Sequence, residues 1–252
     1  MPFGTLKTSE ARGAIPLYSP PFHAGHNDFT DVDALIIRYY TEYDAVKDLV
    51  PTELELADEP LITLTLFKYG FSIIGPYNEF VSTVEVTYQG KTYNYCLELI
   101  LDNEGAIFAG REQYGIPKVF GKVIWEPSSA PAPAGYLAGY AERPVGSKLV
   151  QLSFKPHAKV QAWGPVKMEN HFLGLRCIPS ANYQEAPVLK ELIPAIFETT
   201  HAEVWTGEGS VGLFNVSEYD PIHRLKVLRY ESSVLIRHAS MTLHPTSERI
   251  AL

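Results

Sequence analysis

Short apolar runs that alternate with polar residues and stop at glycine or proline recur along the whole chain, and they limit it to a strand-rich fold. Residues 34–40 and 61–67 read as strands. Residues 81–88 and 92–101 read as the arms of a hairpin that turns at Gln89, Gly90 and Lys91. After a turn from Asp102 to Gly105, residues 106–109 resume an apolar run, and 135–141, 148–154, 202–206, 211–216 and 226–238 continue the habit. Helical spacing shows in two places. The segment from Thr41 to Asp44 offers an N-cap to Ala45, Val46, Leu49 and Val50 before Pro51 closes the helix. Residues 186–199 read as an amphipathic helix with a break at Pro194. The 15 Tyr, 12 Phe and 3 Trp favour strands as well. The expected fold class is α+β, predominantly antiparallel β, in one domain over residues 1–252. Curling the sheet into a barrel or cone is the expected protection for so many strand edges. The Pro- and Ala-rich segment 127–134 reads as a surface loop, because similar strand patterns continue on both sides. No period of 20–50 residues repeats.

The formal net charge of −8 and the lack of any long basic cluster exclude a typical nucleic-acid binder. No membrane segment is expected: the longest strongly apolar stretch, 61–67, falls far short of the roughly 20 residues of a spanning helix. The first 22 residues carry Lys7, Glu10 and Arg12 and several prolines, so they do not read as a signal peptide. Two cysteines, Cys96 and Cys177, make no disulfide framework and fit a reduced, cytoplasmic protein. The P-loop motif G-x-x-x-x-G-K-[ST] and the G-x-S-x-G elbow are missing. The only close histidines, His23 and His26, lack a neighbouring cysteine or carboxylate pair, so no metal is expected there.

One segment stands apart, from Gly110-Arg111-Glu112 to Pro117-Lys118-Val119-Phe120-Gly121. Lys118 lies among Tyr114, Ile116, Val119 and Phe120, and that setting admits two readings. It is either a strand lysine whose stem lies on its neighbours while its ammonium meets water, or a nucleophile in a dry pocket. An amine attacks a carbonyl only when neutral, and with an ordinary pKa near 10.4 about one lysine in 10³ is neutral at pH 7. Desolvation disfavours ammonium ions and so enlarges that reactive fraction.

The segment resembles the acetoacetate decarboxylase family, in which the lysine of a Gly-Arg-Glu…Pro-Lys motif forms a Schiff base with a β-keto acid. The likeness extends over nearly the whole chain. It includes Tyr43-Asp44-Ala45 with Val50-Pro51, the stretch Leu101 to Ile107, and Val204-Trp205-Thr206-Gly207 followed by Leu213-Phe214. By position Lys118 matches the Schiff-base lysine and Glu79 an active-site glutamate. Without the resemblance, Glu79 reads as a solvated turn residue before a strand. Arg111 and Glu112 match the motif's own pair, with a structural ion pair or turn as the alternative role. Arg111, Gln113, Tyr114 and Val119 are the candidate substrate-binding residues. Val119 also marks a departure, because the family places a second lysine there. Val32 stands where the family has an arginine and Thr65 where it has a second glutamate, with Arg38 too far away to substitute.

The resemblance implies a cofactor-free lyase with no metal, acting on a small carbonyl substrate through an iminium and an enamine. Decarboxylation of a β-keto acid, acetoacetate-like or larger, is the leading expectation. The departures leave two others open: aldolase-dehydratase or related iminium chemistry on a pyruvate-type or polyketide-like substrate, and a non-catalytic relative that binds an apolar ligand. No nucleic-acid or membrane partner is expected, and the family's habit of forming multimers points to a homo-oligomer.

Overall fold

The computed structural model describes residues 1–10, 13–22, 25, 27–125 and 135–252. His23, His26 and the predicted loop 127–134 therefore lie outside the described residues. Three long strands, β1 (Asn27–Tyr40), β2 (Leu61–Ser72) and β3 (Tyr77–Tyr88), run antiparallel and lead into β4 (Lys91–Leu101). The 81–101 hairpin forms as expected, with Gln89 and Gly90 both at positive φ in its turn. A short β5 (Lys118–Phe120) lies parallel to the end of β4. Next come β6 (Lys122–Trp125), β7 (Leu137–Glu142) and β8 (Lys148–Ile178), followed by β9 (Leu189–Leu213), β10 (Arg229–Leu243) and β11 (Ile250–Ala251). The helices are α1 (Tyr43–Val46), continued by a 3₁₀ turn over Lys47–Leu49, and α2 (Glu104–Tyr114).

The fold is α+β and dominated by antiparallel strands, but the expected barrel or cone is corrected: the sheet does not close. Its strand path runs β11-β9-β10-β1-β2-β3-β4-β8-β7-β6, with β5 beside β4 and an added β8–β9 pairing, and it ends on β11 and β6. These end strands are two and four residues long. Edges this short expose few unpaired amides, so closure is not needed to protect them.

Two further expectations change. Residues 186–199 do not form a helix; they enter β9 and pair with β8 from Leu189 to Leu213. Pro194 is tolerated because it faces a gap in the ladder. On the side away from β8, β11 pairs only with Glu191 and Leu192, and β10 begins at Phe197. Conversely, residues 106–109 form part of α2, not a strand. The Asn103 side chain accepts the Ala106 N–H at 2.9 Å as the N-cap, and Gly115 ends the helix at φ +64°.

Alternation along the central strands sends side chains into two cores, one on each face. Ile62, Leu64 and Leu66 of β2 join Phe80 and Val84 of β3 and Ile100 of β4 on one face. Phe67 and Tyr69 join Tyr77, Val81, Cys96, Leu99 and Leu101 on the other, where α2 also packs through Ala106 and Tyr114. Burial on both faces explains the nearly continuous apolar runs of these strands.

Candidate active site

Lys118 is the first residue of β5, and its position follows from α2 and β4 together. Gly115 turns the chain, Ile116 N–H donates to the Gly110 carbonyl at 3.0 Å, and Lys118 then pairs with Leu99 of β4. Its stem passes directly over Gly110. A Cβ at that position would lie 2.5 Å from Lys118 Cδ and 2.6 Å from Cε, so only glycine leaves the lysine its path. Arg111, four-residue neighbour of Gly115 on an exposed face, donates from Nη1 to the Lys118 carbonyl at 3.1 Å. It acts on the backbone that carries the amine.

Glu79 reaches the same point from β3, where it pairs with Phe67 on one side and Leu101 on the other. Lys118 Nζ and Glu79 Oε1 are 2.8 Å apart, and the two residues are only 8% and 2% exposed. The contact is an ion pair of distance and charge: among the described residues Oε1 has no aligned hydrogen-bond donor, while Oε2 accepts the Tyr69 hydroxyl at 3.2 Å. Burial, followed by the Glu79 charge, pushes the Tyr69 and Tyr77 phenols well above their ordinary range, so both stay protonated. Tyr69 can therefore only hold the carboxylate by donating to it.

The surrounding cavity measures about 50 Å³. Six aromatic side chains line it, Phe29, Phe67, Tyr69, Tyr77, Phe172 and Phe197, and they pack in a chain of ring contacts from 4.6 to 6.3 Å. Among the described residues, Glu79 and Lys118 are the only charged ones in its lining. Cys96 also lines it; burial drives its thiol up to about 12 against the pull of the Lys118 charge, so it is a neutral wall and not a second nucleophile. A second lobe of about 40 Å³ adjoins along Phe29, Tyr77, Ile116 and Lys118, and extends under α2 to Asn27, Ala106, Gly110 and Tyr114.

The residues singled out in the sequence thus separate. Lys118 and Glu79 meet, and Tyr114 lines the second lobe, its oxygen accepting from Asn27 Nδ2 at 3.3 Å. Val119 faces the opposite side of the sheet, where it packs against the other core beside Leu97 and Glu98. It does not dry the lysine's cavity. Gln113 is outside the lining of both lobes, and the Glu112 side chain is exposed. The carbonyls of Glu112 and Gln113 both accept from Arg176 Nη1 at 3.2 Å, and Arg176 Nε binds Glu191 Oε1 at 2.7 Å. This cation sits where the last carbonyls of α2 lack helical partners. Val32 and Thr65 are buried, and Arg38 is at the surface beside Glu85 and Glu231. Among the described residues, no group of three or more His, Cys, Asp or Glu could hold a metal, and no helix is long and apolar enough to cross a membrane.

Which aromatic residues form the wall was not apparent in the sequence, because its rings come from five strands. Parity along the strands was the available signal. Phe67 and Tyr69 share a face two residues apart, and the β2–β3 register sets Phe67 opposite Glu79.

The chain matches the family model for acetoacetate decarboxylase (ADC) over residues 14–249. It is 36% identical over 238 residues to decarboxylase DEC1 of Cochliobolus heterostrophus, covering 94% of each chain. It is 33% identical over 224 residues to the acetoacetate decarboxylase of Clostridium acetobutylicum, covering 87% of this chain and 88% of that one. A solved acetoacetate decarboxylase structure superposes with a TM-score of 0.79 at 27% identity, covering 98% of both chains. The enzyme MppR complexed with pyruvate shares the fold at 19% identity, with a TM-score of 0.71 over 93% of this chain and 96% of that one. With an amine and a carboxylate enclosed together on this framework, the chain belongs to the acetoacetate decarboxylase family.

Proposed function

We propose that this protein decarboxylates a β-keto acid through a Schiff base at Lys118. The observation that carries the reading is the enclosed pair, Lys118 Nζ 2.8 Å from Glu79 Oε1 within an aromatic cavity. Attack on a carbonyl needs the amine neutral, and Glu79 lies within reach of Nζ to take its proton. The amine attacks the ketone carbon, forming the C–N bond. Glu79 then returns its proton to the departing hydroxyl, and water leaves as the iminium forms. The C–C bond to the carboxylate breaks, its electron pair moves toward the iminium nitrogen, and CO₂ and an enamine result. Protonation at carbon and hydrolysis of the iminium release the ketone and restore Lys118.

Tyr69 orients Glu79 by its hydrogen bond, and Arg111 and Gly110 set the path of the lysine. The free thiols of Cys96 and Cys177 support a reducing, cytoplasmic setting. Apolar side chains such as Trp163 and Val160, exposed along β8, support a homo-oligomer that covers them. The test is CO₂ release from acetoacetate and larger β-keto acids by wild type and Lys118→Ala. Activity present in the first and absent in the second is expected. Turnover that survives in Lys118→Ala overturns the reading. Aldehyde-dependent loss of pyruvate without CO₂ release places the chemistry with aldol condensation instead.

A further inference from the structure

The cavity has two lobes that meet at the amine, and they differ in polarity. The Glu79 lobe presents aromatic and aliphatic walls, with no cation besides Lys118 in its lining among the described residues. A substrate carboxylate placed there would face the Glu79 carboxylate without a partner, at a cost that burial makes large. The lobe under α2 is different. Tyr114 lines it with Asn27, and since the phenol oxygen accepts from Asn27 Nδ2, the phenol proton is directed elsewhere; among the described hydrogen bonds it has no protein acceptor. Small residues of α2, Ala106, Ala109 and Gly110, leave room in front of it.

We infer that the two lobes sort the two arms of a 3-oxo acid: the carboxymethyl arm enters the α2 lobe and accepts the Tyr114 hydroxyl, while the other ketone substituent fills the aromatic lobe. The substrate class is then a 3-oxo acid whose substituent is an alkyl or aryl group larger than methyl. This rests on the Schiff-base reading above and narrows it. The reaction balances without a further reactant except a proton: the C–C bond to the carboxylate breaks, its pair ends in a new C–H bond, and a methyl ketone and CO₂ leave. A single neutral donor suits this step, because it positions the carboxylate without holding its charge as strongly as a guanidinium would.

The experiment compares kcat/KM for CO₂ release from acetoacetate, 3-oxohexanoate, 3-oxooctanoate and benzoylacetate in wild type and Tyr114→Phe. In parallel, the Lys118 adduct with 2-hexanone, which lacks a carboxylate, is trapped with borohydride. The expected result is a rise of about fourfold per added methylene over the first two or three carbons. Tyr114→Phe should lose about tenfold or more on every acid, mainly through KM, with the 2-hexanone adduct unchanged. Values that fall from acetoacetate to the longer acids overturn the proposal. So does a Tyr114→Phe variant that loses the ketone adduct along with the acids, or one that loses neither. If wild type gives no Lys118 adduct with any of these compounds, the Schiff-base reading itself has failed.

Discussion

At the residue scale, the site depends on one position that carries no functional group. Gly110→Ala would set a methyl 2.5 Å from Lys118 Cδ, and the lysine must give way because the helix backbone cannot. A displacement near 1 Å at a reacting atom costs on the order of 10²-fold in rate. Gly110→Ala is therefore expected to lower kcat/KM by about that factor while circular dichroism and Tm stay close to wild type; unchanged kinetics would contradict the steric account. Glu79→Gln keeps the shape and the Tyr69 contact but can no longer take up a proton, and its kcat should fall by about 10²–10⁴. A variant with more than half the wild-type kcat would remove Glu79 from proton transfer. Lys118 stands out in the sequence through its contiguous motif, whereas Glu79 is reached only through the family resemblance and otherwise reads as a solvated turn residue. Val119 was misassigned to the pocket for a simple reason. Neighbours on a strand point to opposite faces, so the residue next to the nucleophile is the one that cannot share its cavity.

At the scale of elements, α2 decides where β5 begins, and the Arg176–Glu191 pair ties the end of α2 to β8 and β9. Removing one partner of such a buried pair leaves the other uncompensated, at about 3–5 kcal/mol. Arg176→Met should therefore lower stability by a few kcal/mol in urea unfolding and reduce kcat as well; a loss of stability with full kcat would separate the anchor from the site. β4 offers a pH test on its other face. Glu98 lies there with Arg143 and Asp220, and burial, followed by its bond to Asp220 and that carboxylate's charge, pushes its carboxyl up to about 9. The folded chain keeps a proton that the unfolded chain releases near pH 4.5. The stability this group contributes is thus complete at low pH and is lost as pH rises from about 4.5 through 9. Glu98→Gln should gain on wild type by about 10 °C or more in Tm between pH 5 and pH 9, whereas a constant difference would contradict the buried proton. The strands and the 81–101 hairpin were legible from alternation and turn residues. Two segments were not. The glycines of α2 resemble turn residues, although Gly110 is there for the lysine's passage, and the apolar spacing before Pro194 fits helix and strand alike until the gap in the ladder is known.

At the scale of the whole molecule, a sheet buried on both faces holds the reactive pair in one core and leaves the other to structure. Although β5, β6 and residues 155–178 of β8 carry no such run, the strand-rich class was legible from the runs at 34–40, 61–67, 81–88, 92–101 and 148–154. The open path of the sheet was not, since closure depends on pairings between β4, β8 and β9 that no local pattern encodes. Burial also divides the two thiols. Cys177 is exposed and should react with iodoacetamide in the native protein, while Cys96 should react only after unfolding; rapid double labelling of native protein would show the cavity wall to be open. The central claim is that the enclosed amine of Lys118 bonds to substrate. Incubation with a β-keto acid, reduction with borohydride and peptide mass spectrometry test it directly. The account predicts a stable secondary amine on Lys118, absent without substrate and absent from Lys118→Ala; an unmodified Lys118 in protein that is releasing CO₂ would contradict it.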